Sequence, residues 1–216
     1  MVIAMDGPAC AGKSTLAVLT AKSLNINFLN TGMIFRAIAY LLTKNNVDVS
    51  NIKNVTEVIN KSKIDIEYRD GEQIVFVNGE DTRPFVNLSE YSEKASTYSQ
   101  IKEIREIVCS IQRDFAKKYD LVVEGRDIGT EIFPDAKYKF YVTASIESRA
   151  KRRFETLTQK GESVTLEQVA QMLEQRDYAD SHREISPLRQ AKDAILIDTS
   201  NETIEQSLNK IISYIK

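Results

Sequence analysis

Residues Gly7-Pro8-Ala9-Cys10-Ala11-Gly12-Lys13-Ser14, with Thr15 behind them, directly follow an apolar run, Val2-Ile3-Ala4-Met5. This is G-x-x-x-x-G-K-[ST] placed between a strand and a helix, the arrangement in which the pattern binds phosphate chains. Gly7 and Gly12 let the backbone turn so that successive N–H groups point inward. The helix starting near Gly12 aims its positive dipole end at the same point. Lys13 then reaches the β- and γ-phosphates of a nucleoside triphosphate, and the Ser14 hydroxyl is the expected metal ligand, for Mg²⁺.

Arginine placement carries the chemistry further. Arg176, Asp180 and Arg183 are spaced by 4 and 3 on a helix predicted to open at Thr165, with Gln168 completing a capping box. That spacing sets a carboxylate between two guanidinium groups on one face. Arg149, Arg152 and Arg153 form a second basic face on the preceding helix. Each cluster alone reads as a solvated helix surface. Two of them flanking Gln159-Lys160-Gly161-Glu162-Ser163 read as a short lid that closes cations over transferring phosphates. Arg36 and Arg126 follow predicted strands, where open α/β sheets bind ligands, and Arg105 adds a further cation. So many arginines call for a second anionic substrate, such as a nucleoside monophosphate.

The elements that must position these residues alternate between strand and helix, the signature of an α/β fold with a central parallel sheet flanked by helices. Strands are predicted at 2–6, 26–29, 122–123, 138–142 and 194–197, with helices after the first two. The last helix carries Ile204, Leu208, Ile211, Ile212 and Ile215 on one apolar face. One stretch breaks the alternation: Ile64–Tyr68 and Ile74–Val77 flank Arg69-Asp70-Gly71-Glu72-Gln73, a hairpin signal inserted over roughly residues 62–86. It is either an edge decoration or part of a substrate-binding flap.

The chain has 216 residues, with 29 basic and 31 acidic side chains, so no electrostatic footprint for nucleic acid is visible. Cys10 and Cys109 fit a reducing cytoplasm and support neither a disulfide framework nor a zinc site. No run approaches a membrane span, and no signal-peptide layout is present. The expectation is a cytoplasmic monomer acting on small molecules. The lone His182, between Ser181 and Arg183, needs no catalytic role.

Taken together, the glycine loop, Asn30-Thr31-Gly32-Met33-Ile34-Phe35-Arg36, Glu124-Gly125-Arg126-Asp127-Ile128-Gly129-Thr130 with Phe133-Pro134-Asp135-Ala136, Arg149-Ala150-Lys151-Arg152-Arg153, and Arg176-Asp177 through Ser186-Pro187-Leu188 resemble the bacterial cytidylate kinases, in order and nearly end to end. The resemblance implies a P-loop kinase core with a short lid and an enlarged monophosphate-binding insert. The core would be about 1–30, 118–150 and 190–216, the monophosphate-binding region about 31–117 and the lid about 151–165, all in one domain. It implies transfer of a phosphoryl group from ATP to CMP or dCMP, with Mg²⁺. By the same resemblance Arg36, Arg126 and Arg183 contact the acceptor phosphate, and Ser96, Arg105 and Asp127 the cytosine. Arg176 and Asp180 hold the pentose hydroxyls, and Thr31 keeps a polar contact. The catalytic cations are then Lys13, Arg126, Arg153 and Arg183.

The chain departs from the family pattern in three places: Asn30-Thr31 for Asp-Ser, Phe35 for Tyr, and Glu124 for Asp. The rival readings are another small-molecule P-loop kinase (adenylate, guanylate, UMP or shikimate type) and a GTPase switch. The switch would need a guanine-reading Asn-Lys-x-Asp, and Asn60-Lys61 is followed by Ser62-Lys63.

Overall fold

The computed structural model describes residues 1–69 and 71–215. Strand β1 (Val2–Asp6) leads through the glycine loop into α1 (Lys13–Leu24), β2 (Asn27–Asn30), α2 (Thr31–Lys44) and α3 (Ile52–Lys61). Next come β3 (Ile64–Arg69), β4 (Glu72–Val77), β5 (Glu80–Asp81), α4 (Arg83–Val86), α5 (Ser89–Tyr98) and α6 (Lys102–Ala116). The chain continues with β6 (Leu121–Glu124), a π-helical turn (Ile128–Ile132), β7 (Tyr138–Thr143), α7 (Ile146–Gln159), α8 (Leu166–His182), β8 (Ile195–Asp198) and α9 (Ile204–Ile215). It forms two compact units, one of Met1–Phe28 with Tyr119–Lys216 and one of Leu29–Lys118.

The first unit is built on a sheet ordered β2-β6-β1-β7-β8, in which β1 runs parallel to both β6 and β7, and β7 parallel to β8. Ile3, Ala4, Met5, Leu121, Val122 and Val123 are all buried. Both faces of these central strands are covered, which is why they read as unbroken apolar runs rather than alternating ones. Leu16, Ala17 and Ala21 of α1 and Ile211 of α9 pack against Ile3, Met5, Phe140 and Val142. The predicted apolar face of α9 holds at Leu208, Ile211 and Ile215, whereas Ile204, in its first turn, is 56% exposed. Among the described residues no helix is long and apolar enough to cross a membrane.

The second unit carries the insert. β3 and β4 pair antiparallel from Ile64↔Val77 to Arg69↔Glu72. Gly71 takes φ +79°, the left-handed region that glycine favours; Asp70 lies outside the described residues. The two-residue β5 completes this sheet and is too short to show a period in sequence. Helix α2 buries Ile34, Ile38, Leu41 and Leu42, and its Tyr40 stacks on Phe85 with ring centroids 4.4 Å apart.

Candidate active site

The glycine loop owes its path to two different constraints. A Cβ on Gly7 would lie 1.9 Å from the Val142 carbonyl oxygen, so β7 passes too close for any side chain. Gly7 also has φ +146°, and Cys10 and Gly12 take positive φ, 60° and 86°. Gly12 N-caps α1 with no capping side chain, and the first turn holds no acidic residue, which favours an external anion there. Lys13 folds over the loop, its Nζ donating to the Pro8 carbonyl at 2.5 Å. Burial, aided by the charge of Arg126, pulls the Lys13 pKa down to about 7 against the attraction of Glu124, Cys10 and Asp6. Ser14 Oγ donates to Glu124 Oε1 at 2.7 Å. Residues 10–15 form one wall of a cavity of about 270 Å³, and Arg152, Arg153 and Thr156 of α7 form the other.

The three α7 arginines meet different fates, which correct the expectation of a shared cationic face. Arg149 is turned inward, donating to the carbonyls of Ala144 at 2.9 Å and Ala9 at 3.3 Å and pairing with Asp177. Arg152 lines the cavity but is committed to Thr199, at 3.0 Å through its hydroxyl and 2.7 Å through its carbonyl. Thr199 Oγ1 lies 3.0 Å from the Ala11 carbonyl, so this contact also holds the loop. The Arg153 side chain makes no hydrogen bond or ion pair among the described residues and lines the cavity. Spacing places side chains on a face; it does not say which of them find partners.

Helix α8 opens with the predicted capping box: Gln168 N donates to Thr165 Oγ1 at 3.1 Å and Thr165 N to Gln168 Oε1 at 2.8 Å. Asp180 is buried and accepts from Arg126 Nε at 2.8 Å. Arg176 is exposed on the same helix and acts on Asp180 through charge. Arg183 still leaves from that helical side: its φ is −62°, its N–H is bonded to the Ala179 carbonyl at 3.1 Å, and its charge acts on Asp180. The helix ends at His182, and Arg183 is its extended C-cap (ψ 145°), with Nε donating to the Ser186 carbonyl at 2.6 Å. It comes within 3.6 Å of Asp127. His182 is exposed and stacks on Tyr178.

Asp127 opens the π-helical turn, and Asp6 holds that turn in place. The Asp6 carboxylate accepts from Ile128 N at 2.8 Å and Gly129 N at 2.7 Å. Burial raises its pKa to about 6 despite these two donors. Asp6 does carry a signal in the sequence, a carboxylate ending a buried strand beside the glycine loop, which the motifs above do not include. Asp177 was noted only as part of a motif, and nothing in the sequence marks Thr199.

In the second unit, Thr31 is the buried first residue of α2 and Arg36 sits half-buried one turn on. Ser96 and Arg105 are linked through Ser99, whose hydroxyl donates to the Ser96 carbonyl at 2.8 Å and whose own carbonyl accepts from Arg105 Nε at 2.9 Å. Arg105 is buried with its guanidinium 5.6 Å from the centroid of the Phe35 ring. From β4, the Gln73 side chain accepts from Asn30 N at 2.6 Å and donates to Asn30 O at 3.2 Å.

A profile described as Cytidylate kinase matches residues 3–216. The chain is 44% identical over 214 residues to a cytidylate kinase of Clostridium botulinum (strain Langeland), covering 99% of this chain and 97% of that protein. It is 44% identical over 216 residues to a cytidylate kinase of Lactobacillus gasseri, covering 100% and 94%. The chain belongs to the cytidylate kinase family. It is thus a phosphotransferase, of a family that implies a nucleotide donor. Among solved structures, a shikimate kinase from Bacteroides thetaiotaomicron aligns over 100% of this chain and 98% of its own with TM-score 0.49 and 12% identity, too distant to bear on substrate.

The three departures from the cytidylate kinase pattern each have a local account. Asn30 caps α2, its Oδ1 accepting from Met33 N at 3.0 Å, work that Asn and Asp do equally. Phe35 supplies a ring face to Arg105, which needs no hydroxyl. Glu124 reaches the Ser14 hydroxyl directly, so the longer side chain still meets the loop.

Proposed function

We propose that the chain transfers the γ-phosphoryl group of ATP to CMP or dCMP, giving ADP and CDP or dCDP. The donor assignment is carried by the cavity where the glycine loop, Lys13 and the uncommitted Arg153 converge. Membership of the cytidylate kinase family over residues 3–216 supports the cytidine acceptor.

The attacking oxygen belongs to an already ionised phosphate, so a general base has little to do. Catalysis rests on in-line positioning and on neutralising the charge of the moving group. Lys13 Nζ would exchange the Pro8 carbonyl for a phosphate oxygen, and the anion would hold it protonated. Arg153 adds charge from the facing wall. Ser14 and Glu124 offer two hard oxygen donors 2.7 Å apart, a set that fits Mg²⁺. When bound there, the ion supplies further neutralisation of the phosphate oxygens. Arg36, Arg126 and Arg183 are read as holding the acceptor phosphate, Arg176 and Asp180 the pentose, and Ser96, Arg105 and Asp127 the base, with Thr31 a polar neighbour. Residues 151–165 are read as the lid.

An ADP-release assay over AMP, GMP, UMP, CMP and dCMP tests this. CMP and dCMP should turn over fastest; a preference for AMP or GMP would sink the assignment.

A further inference from the structure

Ala9 stands in the glycine loop, and both of its backbone polar groups are claimed by charged side chains from other elements. Its N–H lies 3.4 Å from Asp177 Oδ1, and its carbonyl accepts from Arg149 Nη1 at 3.3 Å. Arg149 Nη1 also donates to Asp177 Oδ2, which closes a ring around one residue of the loop. Arg149 Nε is fixed in turn by the Ala144 carbonyl at 2.9 Å. The Ala9 methyl packs with Ala150 and Leu157 of α7 and Val169 and Leu173 of α8. The loop is therefore seated on the α7–α8 hairpin by apolar contact and by directed polar contact together.

Helix α8 carries a second such attachment. Asp180, three residues beyond Asp177, holds Arg126 at 2.8 Å. Successive carboxylates on neighbouring turns thus grip the donor loop and an arginine read as binding the acceptor. Apolar packing alone would keep Ala9 buried without setting its direction. A guanidinium and a carboxylate bonded to opposite sides of one peptide position set it, because both partners have fixed, planar donor and acceptor geometry.

We propose that Asp177 and Arg149 are positioning residues for phosphoryl transfer, fixing the donor loop to α8 so that loop and Arg126 keep a set spacing. The inference rests on reading the glycine loop as the site of the nucleotide donor. Neither side chain is assigned contact with substrate.

The test uses the full chain as wild type, Asp177→Ala, Asp177→Asn, Arg149→Met, Arg149→Lys and the double Asp177→Ala/Arg149→Met. Titration calorimetry with ADP gives Kd, steady-state kinetics give KM for ATP and for CMP, and urea melts report folding. Each truncation should weaken ADP binding by about tenfold or more, the scale of one hydrogen bond to a charged group. The double variant should be no weaker than the worse single within about twofold, since the residues act as one ring. Asp177→Asn, which keeps an acceptor for Ala9 N–H, should fall between wild type and Asp177→Ala. The Asp177 charge also reaches Arg126. Arg149→Met is therefore the arm in which KM for CMP should stay within about twofold while KM for ATP rises. Should a truncation fail to fold, Asp177→Asn and Arg149→Lys carry the same comparison. Folded variants that bind ADP like wild type would overturn the proposal, as would equal losses for ATP and CMP that track stability alone. Wild type that binds no ADP would overturn the donor-loop reading itself, and this inference with it.

Discussion

Asp180 and Arg126 lie 54 residues apart in the chain and meet at 2.8 Å, Oδ2 to Nε. Burial works against the Asp180 carboxylate, but the charge and hydrogen bond of Arg126, with Arg176 and Arg183, more than offset it and hold its pKa below the ordinary 3.8. The pair joins the strand-end loop after β6 to the last turn of α8, so it serves both the fold and the proposed acceptor site.

Replacing Asp180 by Ala leaves a largely buried guanidinium without this partner, which should cost about 3 kcal/mol. A depressed folded pKa contributes stability above the unfolded value and loses it as pH falls through the folded one. The gap between wild type and Asp180→Ala in urea melts should therefore be full at pH 6 and narrow below about pH 4. KM for CMP should rise with KM for ATP little changed; a defect confined to ATP would place this helix on the donor side.

Lys13→Met should remove nearly all turnover while the protein stays folded, since one such contact on the transferring phosphate commonly supplies about 3–4 kcal/mol. The variant should also change the pH dependence of stability. A Lys13 pKa pulled from 10.5 to about 7 places a penalty on the order of 5 kcal/mol on its charged, buried form. Below pH 7 the folded state bears all of it; from 7 to 10.5 the folded group is neutral while the unfolded one is charged, so the penalty fades. Stability relative to wild type should thus favour the variant at pH 6 and lose that advantage toward pH 10. A constant difference across that range would contradict the buried placement.

Asp127→Ala and Arg105→Met should each lose discrimination for cytosine. Cytosine offers an amine at C4 and acceptors at N3 and O2; uracil keeps O2 but has a carbonyl at C4 and an N–H at N3. A carboxylate such as Asp127 accepts from the amine but opposes the uracil carbonyl, and Arg105 discriminates by donating to N3, an acceptor that uracil lacks. Unpaired buried polar groups cost about 1–3 kcal/mol, hence roughly ten- to hundredfold per contact. The kcat/KM ratio of CMP to UMP, measured at saturating ATP, should fall toward one. An unchanged ratio in both would show that these residues do not read the base.

Gly7→Ala and Gly12→Ala should separate two kinds of glycine requirement. At Gly12 the new methyl meets only Arg152, 3.9 Å away, and the cost is that of φ +86°, about 1–3 kcal/mol. At Gly7, besides the strain of φ +146°, it would lie 1.9 Å from Val142 O and must force β1 and β7 apart, a cost above about 4 kcal/mol. Thermal melts should show Gly12→Ala folded and Gly7→Ala failing to fold; equal melting temperatures would refute the contrast.

Much of this was legible in the chain. The glycine loop, the alternating elements, the Asp-Gly hairpin and the Thr165–Gln168 capping box are local patterns, set by residues within a turn or two of one another. What escaped depends on distant contact. Arg149, Arg152 and Arg153 look alike by spacing, yet Thr199, Asp177 and the Ala9 carbonyl decide which of them keeps a free guanidinium. Arg183 keeps its helical place, but its bond to Ser186 belongs to the chain beyond the helix. Asp6 carried a signal, a charge at a buried strand end, whose partners Ile128 and Gly129 lie more than a hundred residues away.

The grip of Gln73 on both backbone groups of Asn30 makes the inserted hairpin sensitive to frame. Side chains alternate faces along a strand, so a one-residue slip of β4 would turn the amide away from Asn30. The hairpin tip around Gly71, where an added Cβ would meet nothing within 4 Å, has room for length change. The stretch from Gln73 to Val77 does not: a single inserted or deleted residue there would detach β4 from the loop that begins α2.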